Sequence, residues 1–265
     1  MDADTIAAEI LAAAGARRQI APFTERAGGL DLDGAYAVTA ALRRLRTARG
    51  ERPVGRKIGF TNRTIWAEYG VYAPIWGDMY DTTLAGLADS GGTVDVAALA
   101  EPRIEPEIAF GLACAPAPDM DEAALLGCIE WAAHGFEIVQ SLFPGWRFSA
   151  PDTVAGFGLH GAYRLGPKHR VDAGWLAPLS TFRIALARDG AVAEHGRATD
   201  VLDGPLTALR HLVGLLARDP HNAPLAAGEI VTTGTLTRAL PVARGERWST
   251  AIDGLPIAGI EMRIA

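Results

Sequence analysis

Apolar residues recur three and four positions apart near the start of the chain, at Ile6, Ile10 and Leu11, and again at Tyr36, Val38, Leu42 and Leu45. That spacing predicts two amphipathic helices, the second opened by Asp31 as N-cap and closed before Gly50 and Pro53. Past Pro53 the pattern changes. Short apolar runs punctuated by Gly, Pro and Asp predict strands near 55–60, 104–112, 136–142, 157–165, 180–188, 229–233 and 257–264. Two further helices are expected at 121–134 and 205–217, the latter ending before Asp219 and Pro220. The reading is α+β: a small helical N-terminal region, 1–52, packed on a mostly β catalytic domain, 53–265.

One predicted strand carries an oddity. Residues 103–110 read RIEPEIAF, with two glutamates separated only by a proline. Side chains alternate along a strand, so Glu105, Glu107 and Ala109 share one face while Ile104, Pro106, Ile108 and Phe110 share the other. Pro106 cannot donate to a ladder, which places this strand at an edge or gives it a bulge. On spacing alone the pair fits a solvated strand face as well as half of a site. A third acid, Glu137, lies in GFEIVQS after the helix expected to stop at Gly135, where it fits an arginine partner as well as a function. Three glutamates on neighbouring strands would form the oxygen-rich set that Mg²⁺ or Mn²⁺ favours. In GRKIGF (55–60), Lys57 shares its strand face with Gly55 and Gly59. It reads either as a snorkelling surface lysine or as a cation beside a developing enolate.

Composition narrows the classes. The net charge of −6 and the lack of a long Lys/Arg run argue against nucleic acid as partner. No stretch approaches the roughly 20 apolar residues of a membrane helix, and the acidic N-terminus is unlike a secretory signal, so the cytoplasm is expected. Cys114 and Cys128 have no metal-site or framework spacing and read as reduced thiols.

GRKIGFT, GVYAPIWGDMYD (70–81), RIEPEIAF and GFEIVQS together resemble the 2-oxopent-4-enoate hydratase and 4-oxalocrotonate decarboxylase family, within the fumarylacetoacetate hydrolase superfamily. PDTVAGFGLHG (151–161), VLDGPLTAL (201–209) and GEIVTTGTLT (228–237) extend the likeness over about four-fifths of the chain. The resemblance implies a fumarylacetoacetate-hydrolase-like mixed sheet and a divalent metal, Mg²⁺ or Mn²⁺, held by Glu105, Glu107 and Glu137. It also implies Lys57 at the substrate oxygens and Asp78 as a proton carrier, although on spacing alone Asp78 is a turn aspartate. Thr233, Gly234 and Thr235 match a turn that contacts the bound acid. Where relatives read ADNAS this chain has AGFGL (155–159), putting Phe157 and Leu159 at the substrate's far end and His160 just beyond. His160 serves either as an acid/base or as a structural donor. Leu142 replaces a frequent arginine, with Arg147 nearby as a substitute.

The implied activity is hydration of a 2-hydroxy-2,4-dienoate, or its 2-oxo-4-enoate tautomer, to a 4-hydroxy-2-oxo acid in the degradation of aromatic compounds. Phe157 and Leu142 favour a neutral, apolar substrate tail. The alternative is decarboxylation of a 2-oxo-3-enedioate of the 4-oxalocrotonate type. A C–C hydrolase of a diketo acid ranks third, and a non-catalytic partner subunit is the reading from another class. The resemblance implies a homo-oligomer, alone or complexed with a pathway decarboxylase or hydratase.

Overall fold

The computed structural model describes residues 2–265. Asp2 and Asp31 each accept a backbone N–H of the first turn, Thr5 and Gly34 respectively, and so open helices α1 (Ala3–Gly15) and α2 (Leu32–Ala48). Their predicted stripes, including Ile6, Ile10, Val38 and Leu42, are buried. They pack with Phe143, Val154, Phe157 and Leu159, so the N-terminal helices share one core with residues beyond position 140. Five shorter helices follow: α3 (Trp66–Tyr69), α4 (Glu122–Gly127), α5 (Ala150–Ala155), α6 (Pro178–Thr181) and α7 (Pro205–Leu216).

The strands are β1 (Pro53–Gly59), β2 (Ile75–Tyr80), β3 (Leu84–Gly86), β4 (Thr93–Val94), β5 (Arg103–Leu112), β6 (Ile129–Val139) and β7 (His160–Arg170). They continue with β8 (Arg183–Arg188), β9 (Ala191–Arg197), β10 (Ile230–Thr235), β11 (Leu240–Pro241), β12 (Arg247–Asp253) and β13 (Glu261–Ile264). A large sheet runs β2-β1-β10-β5-β6-β7-β3, with β11 also beside β5, and a second runs β4-β13-β12-β8-β9. Both are mixed: β1–β10, β3–β7 and β4–β13 are parallel pairs among antiparallel ones. The expected α+β architecture is present.

One face of the large sheet is covered by apolar layers. Ile58, Trp76, Ile108 and Phe110 meet Leu206, Leu209 and Leu212 of α7. Ile104, Phe136 and Ile138 meet Leu186, Trp248 and Met262 of the second sheet. The opposite face carries Glu105, Glu107 and Glu137.

Two expectations need correction. The helix expected over 121–134 ends at Gly127, and β6 begins at Ile129. From Ala132 to Val139 every residue of β6 is buried, so both faces read as apolar and the two-residue period is masked. The strand carrying Pro106 is not an edge, because β5 pairs with β6 on one side and with β10 and β11 on the other. The irregularity lies in its partner: Ala109 and Glu107 face Thr232 and Thr235, which gives β10 an extra residue there. Pro106 faces the gap where β10 leaves and β11 joins, and its carbonyl accepts the Leu236 N–H. Its missing donor therefore falls where the ladder is already broken.

Candidate metal centre and active site

The β5–β6 register sets Glu105 directly opposite Glu137, and Gly135 opposite Glu107. Like charges so placed oppose strand pairing. Glu107 and Glu137 are fully buried, Glu105 is half-buried, and one carboxylate oxygen from each lies within 4.8 Å of the others. Burial pushes the Glu105 carboxyl up to about 7, and burial with the Glu137 charge pushes Glu107 well above the usual range. Glu137 goes the other way. Burial would raise it, but Lys57 and His160 together hold it below its ordinary value.

Each acid has its own support. The Gly234 N–H donates to Glu107 Oε2 at 3.1 Å, while Glu107 Oε1 has no hydrogen-bond partner. Gly234 is a required glycine, because its φ is 99° and a Cβ there would lie 1.9 Å from Thr61 Oγ1. His160 Nδ1 is 2.7 Å from Glu137 Oε1, and its Nε2 is 2.9 Å from Thr83 Oγ1. Lys57 Nζ donates to the Gly158 carbonyl at 3.1 Å and forms an ion pair with Glu137 Oε2 at 3.3 Å. Burial alone would lower the Lys57 ammonium, but Glu137, Glu105 and Glu107 raise it above its ordinary value. The oxygen-only set, the like-charge crowding and the unpartnered Glu107 oxygen all fit a divalent cation.

The Gly158 carbonyl is delivered by an unusual turn. Phe157, Gly158 and Leu159 all have positive φ, at 63°, 61° and 65°. Two bulky residues in the left-handed region are strained, a feature that gathers at functional sites. The turn presses on β2 so closely that a Cβ on Gly77 would lie 2.4 Å from the Phe157 carbonyl oxygen. Leu159 lines the cavity that opens over Lys57 and Glu105, about 600 Å³ counted out to its mouth.

Several residues expected at the site lie elsewhere. β1 and β2 pair Arg56 with Asp78 and Lys57 with Gly77, so Asp78 projects from the face opposite Lys57. Its carboxylate is clamped by Arg43 at 2.9 and 3.0 Å and by Arg56 at 3.1 Å, in an ion cluster on the side of the sheet away from Lys57. Phe157 and Leu142 belong to the core shared with the N-terminal helices, so neither makes the substrate's far end apolar. Of Thr233-Gly234-Thr235, Thr233 donates to the Ile108 carbonyl, Gly234 holds Glu107, and Thr235 lines the cavity.

Other residues at the site escaped the sequence reading. Arg103 follows the same alternation as Glu105 and lines the cavity, with Nη1 donating to Tyr69 Oη at 2.8 Å and its guanidinium 4.2 Å from the Trp146 ring centre. Arg238 and Glu68 pair at the mouth. Tyr163, opposite Glu137 on β7, buries a hydroxyl without a partner. Burial and the Glu107 and Glu137 charges push its ionisation far up, so it stays neutral.

No family model matches the chain. Over 258 residues it is 32% identical to 2-keto-4-pentenoate hydratase 1 of Dechloromonas aromatica, covering 96% of this chain and 95% of the relative. The chain belongs to the 2-keto-4-pentenoate hydratase family. Members of this family are lyases. Its fold matches that of 4-oxalocrotonate decarboxylase from Pseudomonas putida G7, solved with magnesium and adipate. The TM-score is 0.87 at 27% identity, over 99% of this chain and 97% of that one. A looser likeness in fold alone extends to a fumarylacetoacetate isomerase/hydrolase-type protein from Oleispira antarctica. There the TM-score is 0.59 at 16% identity, over 81% of this chain and 95% of that one. Among the described residues no helix is long and apolar enough to cross a membrane.

Proposed function

We propose that the protein hydrates a 2-hydroxy-2,4-dienoate to a 4-hydroxy-2-oxo acid, in the cytoplasm and as a homo-oligomer. The observation that carries this reading is the convergence of Glu105, Glu107, Glu137 and Lys57 on one cavity, in a chain similar throughout its length to a 2-keto-4-pentenoate hydratase. Glu105, Glu107 and Glu137 would hold Mg²⁺ or Mn²⁺, which would supply Lewis acidity at the substrate's 2-oxo acid end. Lys57 stays protonated beside its three acids and sets a positive charge where the C2 oxygen gains electron density. His160 orients Glu137 from behind, with both ring nitrogens engaged. Thr235 and Leu159 contact the substrate from the cavity wall. Dienol protonation and addition of water at C4 complete the balance, giving the saturated 4-hydroxy-2-oxo product.

Decarboxylation of a 2-oxo-3-enedioate is the second reading. The Arg103 cation in the cavity favours it, as does the similarity to a decarboxylase solved with a dicarboxylate. Purified protein with Mn²⁺ is offered 2-hydroxypenta-2,4-dienoate and 2-oxohex-3-enedioate separately, following dienol absorbance and CO₂. Hydration of the dienoate supports the first reading. CO₂ from the diacid without hydration of the dienoate moves the assignment to the second. Turnover of neither refutes both.

A further inference from the structure

Cys114 and Cys128 have no motif spacing in the sequence, yet the fold brings them together. The β5–β6 ladder pairs Leu112 with Ile129, and the Ala113 N–H continues it by donating to the Cys128 carbonyl at 2.8 Å. Cys114 is the next residue along, a neighbour of Cys128 across the two chain segments. The loop after Cys114 folds back on the same spot. Met120 Sδ lies 3.7 Å from Cys128 Sγ and accepts the Ala117 N–H at 3.4 Å. Disulfides join residues whose Cα atoms are about 4.4–6.8 Å apart, a range that neighbours across paired strands satisfy.

The two thiols are unequal. Cys114 is exposed, whereas Cys128 is buried. Burial, with the Cys114 thiol beside it, pushes the Cys128 thiol up to about 11. Cys128 is therefore a protonated thiol held out of solvent, and Cys114 is the one that an oxidant in solution meets. Neither belongs to the metal centre, because the pair lies at the opposite end of the β5–β6 ladder from Glu105 and Glu137.

We propose that Cys114 and Cys128 form a reversible oxidation site, at which hydrogen peroxide closes an intrachain disulfide around α4. The Cys114 sulfur attacks the peroxide, the O–O bond breaks, and Cys114 sulfenic acid forms as one water leaves. The Cys128 sulfur then attacks the Cys114 sulfur, the S–O bond breaks, and a second water leaves. Two thiols are oxidised and one peroxide is reduced to two waters, so no further reactant is needed. A dithiol reductant reverses the step, and in a reducing compartment the bond is transient. The closed loop of about 15 residues holds α4, whose Leu125 and Leu126 are packed in one core with α7. The bond would restrict that loop in the unfolded chain, which is the main source of disulfide stabilisation.

Reduced full-length protein is treated with hydrogen peroxide and followed by thiol titration, non-reducing electrophoresis and mass mapping of the peptide that carries both cysteines. Both thiols should disappear, that peptide should lose two hydrogens, and the chain should stay single on the gel. The melting temperature should rise by about 5–10 °C, and dithiothreitol should restore the reduced state. Cys114→Ser or Cys128→Ser alone should abolish the loss of hydrogens, and the wild-type peptide decides the matter even where a variant folds poorly. Addition of two or three oxygens at Cys114 with Cys128 still free overturns the inference. A disulfide between two chains, or survival of both thiols, overturns it as well.

Discussion

Replacing Glu107 with glutamine should make the metal-free protein more stable while removing its response to metal. Glu107 is fully buried, its carboxyl is raised well above the ordinary 4.5, and the burial and the Glu137 charge responsible are native-state features. A carboxyl that stays protonated when folded but ionises near 4.5 when unfolded makes the folded state take up a proton. Stability therefore falls as pH rises above 4.5 towards the raised folded value. Glutamine is neutral in both states, and its carbonyl can still accept the Gly234 N–H. Urea denaturation in EDTA should show Glu107→Gln more stable at pH 7.5, the advantage shrinking as pH falls and vanishing near pH 4. Saturating Mn²⁺ should then stabilise the wild type, by about 2.7 kcal/mol at 100 times Kd, and leave the variant unmoved. A variant less stable than wild type in EDTA at pH 7.5, or an advantage as large at pH 4, would refute the reasoning.

Three further outcomes follow from the same contacts. His134 is buried between the Glu107 carbonyl and Thr250, and burial pushes its imidazole down to about 4. Its native pKa lies below the unfolded 6.5, so native stability is intact above pH 6.5. About 3 kcal/mol is lost between 6.5 and 4, a slope that denaturation of His134→Gln should show reduced. Gly234→Ala drives a Cβ into Thr61 at a positive φ. It should cost about 2–4 kcal/mol, part of which Thr61→Ala recovers in the double variant; additive losses would place the strain elsewhere. His160→Ala should weaken Mn²⁺ binding by about 10- to 100-fold and His160→Gln by less, measured by calorimetry. Unchanged metal affinity with lost turnover would instead make His160 a direct participant.

What the sequence made legible was what a single strand or helix decides. The two-residue alternation of RIEPEIAF put Glu105 and Glu107 on one face, and the helix stripes of Ile6 and Val38 turned inward as spaced. The same alternation contained Arg103, one step before Glu105, but nothing in the strand pattern marked it as a cavity residue. Asp78 was beyond such reasoning, because its partners lie on β1 and on α2, 35 positions away for Arg43. Phe157 and Leu142 were misplaced for a related reason: sequence position beside site residues does not say which core a side chain joins. Pro106 signalled a break in pairing correctly, but only the sheet order shows that the break lies between two strands serving the same partner. In β6, burial on both faces erased the pattern that separates strand from helix.

The central claim is that three glutamates and Lys57 form a metal-dependent lyase site. Its most direct test is the initial rate of 2-hydroxypenta-2,4-dienoate consumption by EDTA-treated protein, before and after adding Mn²⁺, in the wild type and in Lys57→Met. The account predicts turnover only with Mn²⁺ and, with one positioned charge removed at the C2 oxygen, a fall of at least about 100-fold in Lys57→Met while Mn²⁺ still binds. Equal rates with and without the metal, or a Lys57→Met variant as fast as the wild type, would contradict it.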